Sequence, residues 1–207
     1  MIGAPIPQGY DVAKAVSIEH EDCLVTVGFD RDGGQIPRFL VRLHYAESRT
    51  PLEWISIARF DHNEAFGVGH DVYKEGLHID VTTESGDEIK IHPRHNQLPA
   101  NRGAVIRACV DYFADHAAHF IQIYREEVSP GGPPPWPDGG QLPPTLFTGK
   151  RIESDMTYAT RHNDEVSSEE LTELLADATE TTAEEIERQA DELEIDDPED
   201  ADVVLTE

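Results

Sequence analysis

The stretch from Asn101 to Tyr124, NRGAVIRACVDYFADHAAHFIQIY, decides the fold. Apolar residues recur there at Ile106, Val110, Phe113, Ala117, Phe120 and Tyr124, and Val105, Cys109 and Ile121 widen the stripe. With Asn101 as N-cap, this spacing predicts one long helix. At 1.5 Å per residue, roughly 25 residues would extend about 37 Å, enough to cross a whole sheet.

The residues before the helix supply that sheet. Leu24 to Phe29 alternates, Asp30-Arg31-Asp32-Gly33-Gly34 makes a turn, and Arg38 to Ala46 alternates again, so the three together read as a β-hairpin. Glu53 to Asp61 is apolar on both faces and reads as a central strand. Leu77 to Thr83 and Glu88 to His92, joined by Ser85-Gly86-Asp87, follow. Strand periodicity puts Val25, Val27, Val41, Leu43, Ile79, Val81, Ile89 and Ile91 under the helix. His78 and Asp80 fall on the opposite face, where Arg42, His44, Lys90 and His92 can join them. Residues 1–20 are ambiguous, and Asp11 to Ile18 allows a short helix.

The expected fold class is therefore α+β, an about five-stranded antiparallel sheet packed on one long helix, in a domain spanning 1–128. Ser129 to Pro144 holds seven of the fourteen prolines, so 129–150 reads as a Pro/Gly-rich linker. The remaining 151–207 is an acidic tail with two short helices, opened by capping-box patterns at Ser167-Ser168-Glu169-Glu170 and Thr182-Ala183-Glu184-Glu185. Leu146, Phe147, Ile152, Met156 and Tyr158 are candidates to pack back onto the domain.

The formal charge is −26, from 42 acidic and 16 basic residues, and only four of the basic residues are lysines. Dense carboxylates with arginine in place of lysine make a strongly hydrated surface, which points to an extreme halophile. Part of that charge is local: 21 acidic and two basic residues lie between Glu153 and Glu207. At about 1 M salt the Debye length is only about 3 Å, so acidity does not exclude RNA as a substrate. It does exclude a binding mode built on counterion release from a basic patch, so specific contacts would have to carry affinity. The two tail helices resemble a helix-turn-helix in layout, but the second would present glutamates to DNA, so no DNA reading is expected. A docking contact with a protein partner suits the acidic tail better.

Cys23 and Cys109 read as two buried free thiols. The first residues lack a signal-peptide pattern and no apolar run approaches about 18 residues, so a cytoplasmic location without membrane contact is expected. No cofactor is expected.

Chemistry concentrates between Arg59 and Asp80, in Arg59-Phe60-Asp61-His62-Asn63, Gly69-His70-Asp71 and Gly76-Leu77-His78-Ile79-Asp80. Arg59, Asp61, His70, His78 and Asp80 are the candidate catalytic residues, with His62 and Asp71 beside them. An imidazole held by a carboxylate makes a general base of fixed tautomer, and an arginine can grip a phosphate bidentately. His70, His78 and Asp80 would also suit a divalent metal, although no standard zinc spacing occurs. His116 and His119 read as helix surface.

The segment Arg59-Phe60-Asp61-His62-Asn63, ending a strand and followed by histidines, resembles the Arg-Tyr-Asp-Asn and His-rich segment of TumE-type toxins of toxin–antitoxin systems. Phe60 stands in place of the tyrosine, His62 precedes Asn63, and the His-x-His pattern is missing. The resemblance covers roughly residues 24 to 125. It implies a small cytosolic toxin acting on RNA, with Arg59, Asp61 and the histidines at its site. The whole chain is similar to haloarchaeal proteins for which no function is implied. Two alternatives stand beside the RNase: a non-enzymatic interaction module with an acidic docking tail, and a divalent-metal-binding protein.

Overall fold

A computed structural model of the chain describes residues 5–64, 76–93, 101–128, 165–193 and 195–205. Strands β1 (Val12–Val16), β2 (Cys23–Phe29), β3 (Arg38–Arg49), β4 (Leu52–Asn63), β5 (Ile79–Thr82) and β6 (Glu88–His92) precede helix α1 (Arg102–Tyr124). Strand β7 (Glu165–Val166), helices α2 (Ser168–Ala178) and α3 (Ala183–Asp191), and strand β8 (Asp202–Leu205) follow it. The architecture is α+β, with one mixed sheet in the order β7-β1-β2-β3-β4-β5-β6-β8. Neighbours pair antiparallel throughout except β1 and β7, which run parallel.

The five expected strands are its centre, β2 to β6, in chain order. The sheet is wider than five strands because three short ones, β1, β7 and β8, extend its edges. Residues 12–16 form a strand rather than the short helix that 11–18 allowed. Along Val12-Ala13-Lys14-Ala15-Val16 the two outer valines point to the core side opposite Phe29 and Val25 of β2, and pairing with an open strand edge outweighs a weak helical preference.

Helix α1 lies on one face. Asn101 caps it by accepting from the Gly103 backbone N–H at 2.8 Å, and its buried stripe includes Ile106, Val110, Phe113, Ala117 and Phe120. Phe60 of β4 meets it directly, its ring centroid 4.9 Å from that of Phe113 and 5.9 Å from that of Tyr112. Val25, Val27, Val41, Leu43, Ile79, Val81, Ile89 and Ile91 are all buried in this layer. At roughly 1.5–3 kcal/mol per buried large aliphatic or aromatic side chain, the layer is the main stabilising element. Cys23 and Cys109 are free and buried within it.

The C-terminal segment is built into the same body. Leu171, Leu175 and Ile186 are fully buried. Arg107 of α1 donates to the Ser168 carbonyl and to Thr172 Oγ1, each at 2.9 Å, and the Tyr112 hydroxyl donates to the Asp196 carbonyl at 3.0 Å. Ser167 and Glu170 form the complete capping box that the sequence suggests. Thr182 caps α3 by accepting from the Glu185 N–H at 3.2 Å, but the Glu185 carboxylate pairs with Arg188 instead of returning to the cap. The linker 129–150 and the residues Ile152, Met156 and Tyr158 lie outside the described residues. No described helix is long and apolar enough to cross a membrane.

Candidate functional site

The site lies on the face of the sheet turned away from α1, and strand register builds it. Thr26 of β2 stands opposite Arg42 of β3, Arg42 opposite Arg59 of β4, Arg59 opposite Asp80 of β5, and Asp80 opposite Lys90 of β6. One transverse row thus carries a hydroxyl, two guanidiniums, a carboxylate and an ammonium. Alternation along β4 brings Asp61 to the same face as Arg59, and alternation along β5 and β6 adds His78 and His92.

Asp80 is the hub. Its Oδ2 accepts from Arg59 Nε at 3.1 Å and from Arg59 Nη2 at 3.0 Å. Its Oδ1 lies 3.4 Å from Lys90 Nζ and 4.0 Å from His78 Nε2. The side chain is 15% exposed, against 42% for Arg59. Burial works against the ionised carboxylate, but the Arg59 hydrogen bond and the charges of Lys90, Arg59 and His78 outweigh it and hold Asp80 below the usual carboxylate range. Arg59 also approaches Asp61 Oδ1 at 3.9 Å, an oxygen that is buried with no hydrogen-bond partner among the described residues. His78 is 3% exposed. Its Nδ1 lies 3.4 Å from the Gly76 carbonyl, and its ring centroid lies 5.7 Å from that of His92.

Four of the five residues singled out in the sequence, Arg59, Asp61, His78 and Asp80, therefore converge. His70, with Asp71, lies outside the described residues. His62 belongs to the other face: period two groups it with Phe60, and its ring is buried 5.3 Å from Phe39, with Nε2 3.1 Å from Glu64 Oε1. His44 is on the site face but sealed, hydrogen-bonded through Nε2 to Thr26 Oγ1 at 2.9 Å. Burial, aided by the nearby Arg42 charge, pushes its imidazole down to about 4. His116 and His119 face the C-terminal segment, 3.4 Å from Asp197 and 3.8 Å from Glu199.

One nitrogen of His78 and one oxygen each of Asp61 and Asp80 lie within 4.8 Å of one another, the spacing of a divalent-cation site. Arg59 already brings positive charge to both carboxylates, so an ion there would have to displace its guanidinium. Beside this cluster a cleft of about 240 Å³ opens between β3 and β6, lined by Arg42, Ser56, Arg59, Asp80, Thr82 and Glu88. Arg42 and Lys90 were placed on this face by strand alternation. Only the hairpin register sets Arg42 against Arg59.

A family model matches residues 12–130, from the first residue of β1 to just beyond α1. The chain belongs to that family, described as Domain of unknown function (DUF7718). The DUF7718 match contains every residue of the row from Thr26 to Lys90, together with Asp61, His78 and the cleft. Segment 165–205, which packs on α1 and both sheet edges, lies beyond it. No curated protein and no solved structure matches the chain.

Proposed function

We propose that the protein recognises a phosphate-bearing ligand at the exposed face of its sheet, RNA being the class to which the Arg59-to-Asn63 motif points. The observation that carries this reading is the pair of arginines, Arg42 and Arg59, facing each other across β3 and β4 on the floor of a cleft. In a chain with 42 acidic and 16 basic residues, two adjacent guanidiniums mark the place where an anion is favoured. Asp80 is held ionised and both of its oxygens are engaged, so its part is to orient Arg59 rather than to carry a proton. Proton transfer at this site would fall to His78, the imidazole beside it.

Fluorescence anisotropy with a 5′-phosphorylated single-stranded RNA, in dilute buffer and in molar salt, tests the reading. Retention by the wild-type chain and roughly tenfold or greater weakening in Arg59→Gln, as expected for loss of a charge-assisted contact, support it. RNA cleavage that disappears in His78→Gln adds turnover to recognition. Absence of binding by the wild type, or equal binding by a folded Arg59→Gln variant, overturns it.

A further inference from the structure

Arg42 is the side chain for which the fold offers no explanation. Among the described residues it makes no hydrogen bond and no ion pair, although carboxylates outnumber cations in the chain by more than two to one. Its direct cross-strand partner is another arginine, and like charges placed opposite one another in an antiparallel ladder are destabilising. Arg59 escapes that cost by turning onto Asp80 at 3.0 Å. The sealed, neutral His44 and the Tyr10 ring feel the charge of Arg42, and neither supplies a negative charge to balance it. A half-buried cation kept in an unfavourable pair, beside a cleft with a hydroxyl-bearing wall, matches a group reserved for an external anion.

The cleft also limits how much negative charge the ligand can carry. Arg42 and Arg59 form the β3/β4 side, and Ser56 and Thr82 contribute hydroxyls that can donate to an oxyanion. Asp80 and Glu88 form the β5/β6 side. A run of backbone phosphates crossing the cleft would set its second phosphate against those carboxylates. A single terminal phosphate needs only the Arg42 side of the cleft, and the volume of about 240 Å³ leaves room for part of the group that carries it.

We infer that Arg42, with Arg59 beside it, forms a subsite for one phosphate monoester, the terminal phosphate of a nucleotide or of an RNA end, and that internal phosphodiesters are not its ligand. This rests on the reading of the exposed sheet face as a ligand site and names the chemical group it takes. The guanidinium of Arg42 would grip two phosphate oxygens in a planar fork, while the second charge of the monoester faces Arg59.

Isothermal titration of the full chain with inorganic phosphate, a nucleoside 5′-monophosphate, and a short RNA with or without a 5′-phosphate tests the inference. The variants are Arg42→Gln and Arg42→Lys, with a urea melt of each. The expected result is that phosphate, the monophosphate and phosphorylated RNA bind and compete, that unphosphorylated RNA does not, and that Arg42→Gln weakens binding about 10- to 100-fold. Arg42→Lys falls between, because it keeps the charge and loses the fork. Stability should stay level or rise in Arg42→Gln, since a like-charge pair is removed. Equal phosphate binding by wild type and a folded Arg42→Gln overturns the inference and leaves the sheet-face reading standing. So does RNA binding that ignores the terminal phosphate. An Arg42→Gln chain that is unfolded or markedly destabilised overturns it by making Arg42 structural. If neither small anions nor RNA bind, this inference and the broader reading both fail.

Discussion

Replacing Asp80 by asparagine exposes the logic of the row of charges most directly. The substitution keeps shape and one acceptor oxygen but removes the negative charge that Arg59 contacts at 3.0 and 3.1 Å and Lys90 at 3.4 Å. Arg59 would then have Asp61 Oδ1, at 3.9 Å, as its nearest remaining carboxylate oxygen among the ion pairs of the described residues. A hydrogen bond to a charged group contributes roughly 1.5–3 kcal/mol. The half-exposed Arg59 calls for discounting toward the lower end, so a loss of about 2 kcal/mol at neutral pH is expected. For a chain of this size that lowers the melting temperature by about 4–8 °C. The sign of the pH dependence follows from Asp80 being held below its ordinary range in the folded state. Its contribution is present above the unfolded carboxyl value, near 4, and is lost as pH falls through the folded value. Urea melts of wild type, Asp80→Asn, Arg59→Gln and the double variant, run from neutral to acidic pH, measure both effects. The double-mutant coupling should be about 1–2 kcal/mol at neutral pH and vanish in acid. A coupling near zero at neutral pH, or an unchanged acid limb in Asp80→Asn, would refute the reasoning.

Two further outcomes follow from groups away from the cleft. His44 is 3% exposed and its imidazole is pushed down to about 4, so the unfolded chain takes up a proton that the folded chain refuses. Stability should fall as pH drops from about 6.5 to about 4, by up to about 3 kcal/mol at about 1.4 kcal/mol per pH unit, and His44→Gln should flatten that slope in urea melts; an unaltered slope counts against a sealed, neutral His44. Leu171 is fully buried between the C-terminal segment and the domain, so Leu171→Ala should cost about 2–5 kcal/mol in a single cooperative transition, and a melt unchanged from wild type would show the segment to be a loose appendage.

The centre of the fold was legible because it is built from strong periodicities. Period-two alternation across residues 24–46 and 77–92, and the apolar stripe from Ile106 to Tyr124, each sum many side chains burying on one face. The edges were not legible: β1, β7 and β8 are two to five residues long and exist because a neighbouring strand offers unpaired backbone groups, which no local pattern records. The same division holds for the site. Alternation alone put His78 and Asp80 on the exposed face and, applied strictly, separates Arg59 and Asp61 from His62. It says nothing about depth, which is why His44 shares the face yet is sealed. Nor could it reveal that Arg42 faces Arg59, because that depends on the β3/β4 register, which slips between Leu43 and His44.

Segment 165–205 borders the sheet at both ends, β7 against β1 and β8 against β6. During synthesis it leaves the ribosome after every strand of the family domain has emerged. Until then the nascent chain carries two bare strand edges, the surfaces through which immature chains pair with one another. A chain ending after α1 would therefore keep the residues of the helix-covered layer but leave the β1 and β6 edges without these partners, so segment 165–205 acts as a cover for both flanks of the sheet.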